Sequence, residues 1–354
     1  MKTVLFFIQN GVGGAERMTV NIANLLPSDK WKKIFCKISF PCEVQNGRID
    51  DFFPGGIQII NIYWSNQISF LRQMWKVLKI FKPDYVFSSV MPYNQRLLLL
   101  APFFRNIKFI VRNDNYTFTI NRIKRIIMGF TYRHASSIIA QTEEMKEELE
   151  KLGINPNKIQ VLHNFIDADL VSSKASEESP FSKDDNIRFI SVGRVSDQKG
   201  FDILIKAFKI VNDQLPKSLL YIVGAYDGRS KGLYEQLQIL IRNLGLTDKV
   251  IFTGYDSNPY RYIRNADVYV LSSRYEGLPN VLIETQFLQT PAAATKCVPI
   301  ISRMIHDGDN GYLALSEDPE SLAEAMIKSL GIQRYKTVYE PSTKEEYVNL
   351  FKEK

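Results

Sequence analysis

The stretch Phe189–Phe208, FISVGRVSDQKGFDILIKAF, indicates the fold class of this chain. It starts within a mostly apolar run, Ile187–Val192, passes through Gly193 and Gly200, and then follows a helical pattern up to Asp213. A strand that turns through glycine into a helix is the repeating unit of parallel α/β sheets. The stretch therefore predicts a doubly wound lobe.

Strand-like runs of the same kind recur along the whole chain, and helical stretches separate them. The chain has 354 residues, 45% of them hydrophobic, which is too long for one ordinary domain and supplies core material for two. We therefore predict two Rossmann-like lobes, residues 1–167 and 187–335. The predicted strands are Val4–Ile8, Ile34–Ile38, Ile57–Ile60, Tyr85–Phe87, Lys108–Val111, Ser137–Ala140, Ile159–Leu162, Ile187–Val192, Leu219–Val223, Val250–Thr253 and Val268–Leu271.

Two segments fall outside these lobes. Residues 168–186 contain few core-forming side chains and are expected to form a surface linker. Residues 336–354 end in a short helical pattern that places Tyr347, Leu350 and Phe351 on one face. We expect this C-terminal helix to pack back on the first lobe.

Composition excludes several classes of protein. No run reaches eighteen uncharged apolar residues, and Met1-Lys2 leads directly into a strand-like run without a signal-peptide cleavage site. Cys36, Cys42 and Cys297 lack the spacing of metal ligands and cannot all pair. These features predict a cytoplasmic protein without a metal site.

The positive charge is concentrated in the first half of the chain. Residues 1–170 contain 22 Lys and Arg against 14 Asp and Glu, and residues 61–135 contain 12 basic side chains against only Asp84 and Asp114. Aromatic residues alternate with these basic ones, as on helices that lie at an anionic membrane surface. The alternative is a set of solvated basic faces. Nucleic-acid binding is not expected, because no reading module is recognisable.

A pair of carboxylates provides the most informative candidate site. Glu276 and Glu284 in EGLPNVLIE are separated by about 12 Å of helix and just over two turns, so they can face one elongated ligand. Glu276 follows the apolar run Val268–Leu271, and parallel sheets bind ligands at such strand ends. The turn between the acids is expected to expose the N–H groups of Asn280, Val281 and Leu282 to a phosphate. The alternative is two solvated glutamates.

Cations and glycines occupy two further strand ends. Arg194 and Lys199 follow the strand Ile187–Val192, where two positive charges suit a diphosphate. Gly13 and Gly14 follow the first strand and would let the backbone approach a ligand closely. This turn lacks the third glycine of the dinucleotide-binding fingerprint.

Four segments, GVGGAER, SVGRVSDQKG, FTGYDSNPY and SSRYEGLPNVLIE, occur in an order and spacing that resemble the retaining nucleotide-sugar glycosyltransferases of the GT-B fold, glycosyltransferase family four. The resemblance covers nearly the whole chain. It implies two Rossmann-like lobes facing across a cleft, with the donor held mainly by the second lobe and the acceptor by the first. It also implies retention of anomeric configuration and no metal or other cofactor.

The resemblance further implies roles for individual residues. Arg194 and Lys199 would neutralise the diphosphate as it leaves, Glu276 would lie beside the transferred sugar, and Glu284 would hold the ribose hydroxyls. Further donor contacts are expected from Gly13, Gly14, Gly254, Tyr255, Gly277, Leu278, Asn280 and Val281.

The chain departs from the family pattern at several positions. Where many relatives carry a histidine in the first lobe, this sequence has Arg112, Asn113 and Asp114, which together with Glu16 are candidate sugar or acceptor contacts. Gln289 occupies an expected glycine position, and Arg303 an expected acidic one. The three histidines, His134, His163 and His306, are expected to be structural.

We therefore expect a hexosyl- or N-acetylhexosaminyltransferase that moves a sugar from a nucleotide-sugar, with UDP-sugars favoured, to a lipid-linked saccharide. By family analogy the setting is lipopolysaccharide or capsule biosynthesis at the inner face of the cell membrane. The alternative is a nucleotide-sugar or glycan-binding protein of the same fold that has lost catalysis.

Overall fold

A computed structural model describes residues 1–11, 13–39, 53, 57–226, 230–333, 335 and 339–352. The chain divides into two compact units. The first unit comprises Met1–Phe165 and Pro341–Lys354, and the second comprises Ile166–Glu340. Each unit contains one parallel β-sheet, so the predicted α/β class with two doubly wound halves is confirmed.

The first unit contains a seven-stranded sheet of order β3-β2-β1-β4-β5-β6-β7. Phe6 on β1 packs against Phe35 on β2 and Phe87 on β4, with ring centroids 5.2 and 5.6 Å apart, because the parallel register places these three residues side by side. The elements are β1 Lys2–Gln9, α1 Gly14–Leu25, β2 Trp31–Ser39, β3 Gln58–Tyr63, α2 Gln67–Phe81, β4 Tyr85–Ser88, α3 Met91–Leu100, β5 Lys108–Arg112, α4 Arg122–Tyr132, β6 Ser137–Ala140, α5 Glu143–Lys151 and β7 Ile159–Val161.

The second unit contains a six-stranded sheet of order β10-β9-β8-β11-β12-β13. Its core is formed by apolar residues of the inner strands and of the helices that cross them, including Phe189, Phe208 and Leu322. The elements are α6 Ala168–Ala175, β8 Ile187–Val192, α7 Phe201–Gln214, β9 Ser218–Val223, α8 Lys231–Asn243, β10 Val250–Gly254, α9 Tyr260–Asn265, β11 Val268–Leu271, α10 Asn280–Phe287, β12 Ala292–Thr295, α11 Pro299–Met304, β13 Gly311–Ala314 and α12 Pro319–Ser329.

Residues 168–186 differ from the expected surface linker, because they belong to the second unit. Helix α6 starts this segment and buries Val171 and Ala175. Phe181 is also buried and packs against Tyr221 and Tyr262, with ring centroids 4.8 and 5.7 Å apart. A few apolar side chains at separated positions are enough to hold this polar segment against the unit.

The C-terminal helix, α13 Lys344–Asn349, belongs to the first unit. Thr343 and Glu346 form a capping box that starts it. Tyr347 is fully buried, and its hydroxyl donates to the carbonyl of His163 at 3.1 Å. The helix therefore completes the core that surrounds β1 and β4.

The sequence predicted neither a cysteine metal site nor a membrane-spanning segment. Cys36 and Cys297 are free thiols, while Cys42 lies outside the described residues. Within the described ranges, none of the helices combines the length and apolar character that crossing a bilayer requires.

Phe351 provides a test of the C-terminal packing. Its side chain is 1% exposed and contacts the rings of Trp31 and Tyr85 at centroid distances of 5.8 and 5.6 Å. We expect Phe351→Ala to lower the free energy of unfolding of the first unit by about 3–5 kcal/mol, because it opens a cavity in this aromatic cluster. Urea denaturation followed by tryptophan fluorescence measures the change.

The matched control is Asn349→Ala, which truncates an exposed side chain two positions earlier. Equal denaturation midpoints for the two variants would show that the C-terminal segment contributes little to the stability of the first unit.

Candidate active site

The strand order in the sheet of the second unit reverses between β8 and β11. These strands are neighbours in the sheet although two other strands separate them in the chain, and the following connections run to opposite sides. Such a topological switch point leaves a crevice at the carboxyl ends of the two strands. Arg194 and Lys199 follow β8, and Glu276 follows β11, so all three predicted catalytic residues lie in the loops at this switch point.

An ion pair joins the two loops. Lys199 Nζ lies 2.6 Å from Glu276 Oε1, and the hydroxyl of Ser273 donates to the same oxygen at 2.6 Å. Glu276 is 6% exposed. Its second oxygen, Oε2, has no hydrogen-bond partner within the described residues. One carboxylate oxygen is thus fixed by the protein, and the other is available to a ligand.

Glycines allow this close approach. A Cβ atom at Gly193 would lie 2.9 Å from Cε of Lys199, so the lysine side chain passes directly over the glycine. Gly200 has φ +59°, and a Cβ atom there would lie 2.2 Å from the carbonyl oxygen of Ser272. Any larger residue at either position would displace Lys199 or the loop after β11.

Further hydrogen bonds lock the two loops together. The hydroxyl of Ser272 donates to the carbonyl of Lys199 at 2.8 Å. Arg274 forms a bidentate pair with Asp202, with N–O distances of 3.0 and 2.8 Å. This pair tethers the loop after β11 to the first turn of α7, because Asp202 is the second residue of that helix. No role was predicted for Ser272, Ser273, Arg274 or Asp202.

The second glutamate lies on α10. Glu284 is 6% exposed, and its Oε1 accepts a hydrogen bond from the hydroxyl of Tyr260 at 3.2 Å. Burial raises the pKa of Tyr269 well above its usual value, and the charges of Glu276 and Glu284 raise it further. Both carboxylates therefore lie close enough to Tyr269 to affect the pKa of its hydroxyl. Tyr260 and Tyr269 had no predicted role.

Arg194 differs from Lys199 in its surroundings. Its side chain is exposed and forms no ion pair within the part of the chain that the structure describes. Gly254, at the end of β10, has φ +77° and accepts a hydrogen bond from the N–H of Gly224 at 2.8 Å. The next residue, Tyr255, is 40% exposed. Arg194 and Tyr255 thus present their side chains to solvent from loops after β8 and β10.

The turn before α10 was expected to expose the N–H groups of Asn280, Val281 and Leu282 to a phosphate, and the structure contradicts this for one of them. Gly277 and Leu278 are buried, and Asn280 and Val281 are half-buried at the start of the helix. The N–H of Leu282 donates to the carbonyl of Pro279 at 3.0 Å, so the prediction that this group is free for a phosphate is wrong. This donor is already used in a hydrogen bond within the tight first turn of the helix.

The glycine turn of the first unit lies after β1. Gly14 begins α1, and Gly13 precedes it in an extended conformation. A Cβ atom at Gly13 would lie 2.4 Å from Oε2 of Glu16, so the buried Glu16 carboxylate folds back over this glycine. The turn thus uses the missing side chain of Gly13 to accommodate an acid.

The residues that stand where a histidine was expected are largely enclosed in the first unit. Arg112 is 2% exposed and donates through Nη2 to Oδ1 of Asn164 at 2.5 Å. Asn113 donates through Nδ2 to the carbonyl of Asn115 at 2.7 Å. Oδ1 of Asp114 is buried and has no hydrogen-bond partner among the described residues. Nε and Nη1 of Arg112 are likewise buried without a partner among the described residues, so Arg112 and Asp114 both retain unused polar atoms.

Two of the three histidines form hydrogen bonds through their backbone N–H groups. The backbone N–H of His163 donates to the hydroxyl of Ser342 at 3.0 Å, and that of His306 donates to Asn310 Oδ1 at 2.8 Å. The ring of His134 packs edge-on against Phe130.

The two other departures from the family pattern are Gln289, which follows α10, and Arg303, which lies on α11. Gln289, which replaces an expected glycine after α10, adopts the left-handed φ of +59° that glycine would take. Helices commonly end in this conformation, and a side chain makes it less favourable. Arg303 is exposed on α11. The substitution at 289 therefore keeps the backbone geometry.

The described residues contain no group of three or more His, Cys, Asp or Glu side chains placed to hold a metal ion.

Cys297 lies near the ion pair between Lys199 and Glu276. Burial raises its pKa to about 12, and the charge of Glu276 adds to this effect.

Comparison with known families agrees with the fold. A model of glycosyltransferase family 4 matches residues 12–170, and a model of the group 1 glycosyl transferases matches residues 172–344. The two models together span nearly the whole chain. The chain belongs to the group 1 glycosyltransferases of the GT-B fold.

Two curated relatives and one solved structure illustrate the similarity. An uncharacterized glycosyltransferase of Methanocaldococcus jannaschii is 33% identical over 64% of this chain and 60% of its own length. A relative in Campylobacter jejuni is 26% identical over 97% of this chain and 94% of its own length. It is the N-acetylgalactosamine-N,N'-diacetylbacillosaminyl-diphospho-undecaprenol 4-alpha-N-acetylgalactosaminyltransferase. The crystal structure of Anabaena HepE in complex with UDP-glucose has a TM-score of 0.75 at 16% identity, covering 94% of this chain and 90% of HepE.

Asp114 provides a test of the enclosed carboxylate in the first unit. Burial raises its pKa from 3.8 to about 6, and the guanidinium of Arg112 opposes this rise. The folded state therefore binds the proton more tightly than the unfolded state, and stability falls as the pH rises from about 4 to 6. Asp114→Asn cannot ionise, so its stability relative to the wild type should rise by about 2–3 kcal/mol between pH 4 and 7.

Thermal denaturation midpoints at several pH values measure this difference. Asp248→Asn, which changes an exposed carboxylate of the second unit, is the control. A stability difference between Asp114→Asn and wild type that stays constant with pH would contradict the assigned ionisation.

Proposed function

We propose that this glycosyltransferase transfers a hexosyl or N-acetylhexosaminyl group from a nucleotide-sugar to a lipid-linked saccharide, with retention of anomeric configuration. The second unit binds the donor, and the first unit binds the acceptor. The reaction needs no metal ion or other cofactor. The setting is surface polysaccharide biosynthesis, of the lipopolysaccharide or capsule kind, at the cytoplasmic face of an anionic membrane.

The proposal rests on the hydrogen bonding of the Glu276 carboxylate. Glu276 keeps Oε2 without a partner among the described residues while Lys199 and Ser273 hold Oε1. A carboxylate fixed in this way can accept hydrogen bonds from sugar hydroxyls without losing its orientation. The exposed guanidinium of Arg194 follows the neighbouring strand and suits the diphosphate. A sugar contact and a diphosphate contact at one switch point fit a nucleotide-sugar.

The chemistry follows from these positions. The acceptor hydroxyl oxygen forms a bond to the anomeric carbon as the bond from that carbon to the diphosphate oxygen breaks. The hydroxyl proton passes to the departing phosphate, so the nucleoside diphosphate leaves with it. Negative charge grows on the diphosphate during this step, and Arg194 and Lys199 stabilise it. Glu276 positions the sugar, and Glu284 accepts from the ribose hydroxyls.

The relatives support the choice of substrates. The complex of HepE with UDP-glucose favours a UDP-sugar donor, and the undecaprenol-linked acceptor in the name of the Campylobacter enzyme favours a lipid-linked acceptor. Gly254 and Tyr255 would border the base. Gly277, Leu278, Asn280 and Val281 would contact sugar and phosphate, and Gly13, Gly14, Glu16 and Asp114 remain candidate ligand contacts of the first unit.

A second function is favoured by the surroundings of Arg112 and Asn113. Their side chains donate hydrogen bonds to Asn164 and Asn115 within the first unit, and no histidine is adjacent to them in the sequence. A protein that binds nucleotide-sugars without transferring them would have this arrangement. Tight donor binding without turnover over a panel of acceptors would support this alternative.

A thermal-shift screen with UDP-, GDP- and ADP-sugars identifies the donor, since a ligand of the folded state raises the denaturation midpoint. The best donor is then incubated with polyprenyl-diphosphate-linked saccharides, and release of the nucleoside diphosphate is measured. We expect Arg194→Gln to lower kcat by roughly 10²–10³-fold, because it removes charge stabilisation of the leaving group.

Arg242→Gln, which removes another exposed cation, from α8, should retain full activity. Full activity of Arg194→Gln would contradict the proposed site. No stabilisation by any nucleotide-sugar would contradict donor binding altogether.

A further inference from the structure

Helix α4 presents an apolar stripe to solvent. Ile123, Ile126, Ile127 and Phe130 are 69, 63, 43 and 55% exposed. Their spacing of three and four residues places them on one helical face, which in a surface helix normally faces the core. Here the core-facing side is the opposite one, formed by Met128, Gly129, Thr131 and Tyr132.

The packing of that inner side fixes the orientation of the helix. The carbonyl of Lys124 accepts from Gln95 Nε2 at 3.2 Å, and the hydroxyl of Tyr132 accepts from Asn94 Nδ2 at 3.0 Å. A Cβ atom at Gly129 would lie 2.8 Å from the carbonyl oxygen of Leu152, so the backbone approaches α5 closely there. These contacts hold the apolar stripe outward, because rotation of α4 would break them.

Basic side chains border the stripe on both sides. At about 100° per residue, Arg122 and Arg133 lie along one border and Lys124 along the other. All three side chains are exposed. Residues 115–142 contain no aspartate or glutamate, so no acid in this segment offsets their charge. Helix α5 differs, since it pairs opposite charges such as Lys151 and Glu147 on its surface.

We propose that this outward face of α4 is a docking surface for an anionic lipid bilayer. Large apolar side chains bordered by cations are the pattern of helices that lie in the membrane interface. The uniform positive rim complements anionic headgroups, and each cation near such a surface strengthens binding roughly fivefold. The inference deepens the proposed function, since docking through α4 would bring the first unit to a lipid-linked acceptor.

Vesicle flotation of the full chain tests the proposal. One set of vesicles contains phosphatidylcholine alone, and the other contains roughly one third phosphatidylglycerol as the anionic lipid. We expect flotation with the anionic set, reduced by salt, and none with the neutral set. Ile126→Gln/Phe130→Gln and Arg122→Gln/Lys124→Gln should each weaken association more than about tenfold.

Matched controls remove the same groups from the second unit. Ile239→Gln/Leu315→Gln replaces two exposed apolar side chains, and Lys206→Gln/Arg242→Gln removes two exposed cations. Both should float like the wild type. Thermal denaturation midpoints check that all variants are folded, which is expected because the replaced side chains are exposed.

Three outcomes would overturn the proposal. The first is that the chain does not associate with anionic vesicles, and the second is that the α4 variants float as well as the wild type. The third is a dimer, detected by light scattering and lost in Ile126→Gln/Phe130→Gln, which would show that a second copy covers the stripe. Flotation needs no turnover, so a failure of docking leaves donor binding untouched, and a failure of transfer leaves docking untouched.

Discussion

The ion pair between Lys199 and Glu276 joins the two loops on which the candidate site depends. Taking both charges out of water is unfavourable, and the pair is tolerated because the contact is short and Ser273 adds a hydrogen bond to the same oxygen. The rest of the switch point supports this contact. Gly193 makes room for the lysine side chain, and Gly200 allows the loop to pass beside Ser272.

Much of the fold could be predicted from the sequence, because runs such as Val4–Ile8 and Val268–Leu271 are apolar and end in glycine or polar residues. Strands β12 and β13 were missed. Ala292–Thr295 is almost entirely alanine, which has little preference for strands, and Gly311–Ala314 has only four residues. They form strands because the neighbouring β11 and α12 supply hydrogen bonds and cover. Tertiary packing also orders residues 168–186, where a linker was expected, because Phe181 packs against Tyr221 and Tyr262.

The candidate site was partly predictable for a related reason. Arg194, Lys199 and Glu276 could be found because they follow strands, and strand ends converge at one edge of a parallel sheet. Arg274 and Tyr260 could not be found, since their contacts join segments distant in the chain, and the bond from Ser273 to Glu276, three residues later, depends on the conformation of the loop. The burial of Arg112 was equally hidden. Helical spacing in α4 also could not reveal which of its faces would be covered.

We propose above that Glu276 contacts the sugar while Arg194 contacts the diphosphate. Titration calorimetry with UDP and with the nucleotide-sugar that stabilises the protein most tests it directly. We expect Glu276→Gln to weaken binding of the nucleotide-sugar roughly tenfold and to leave UDP binding unchanged or stronger, because Lys199 is released toward the phosphates. Equal weakening of both ligands by Glu276→Gln, or no effect on either, would contradict it.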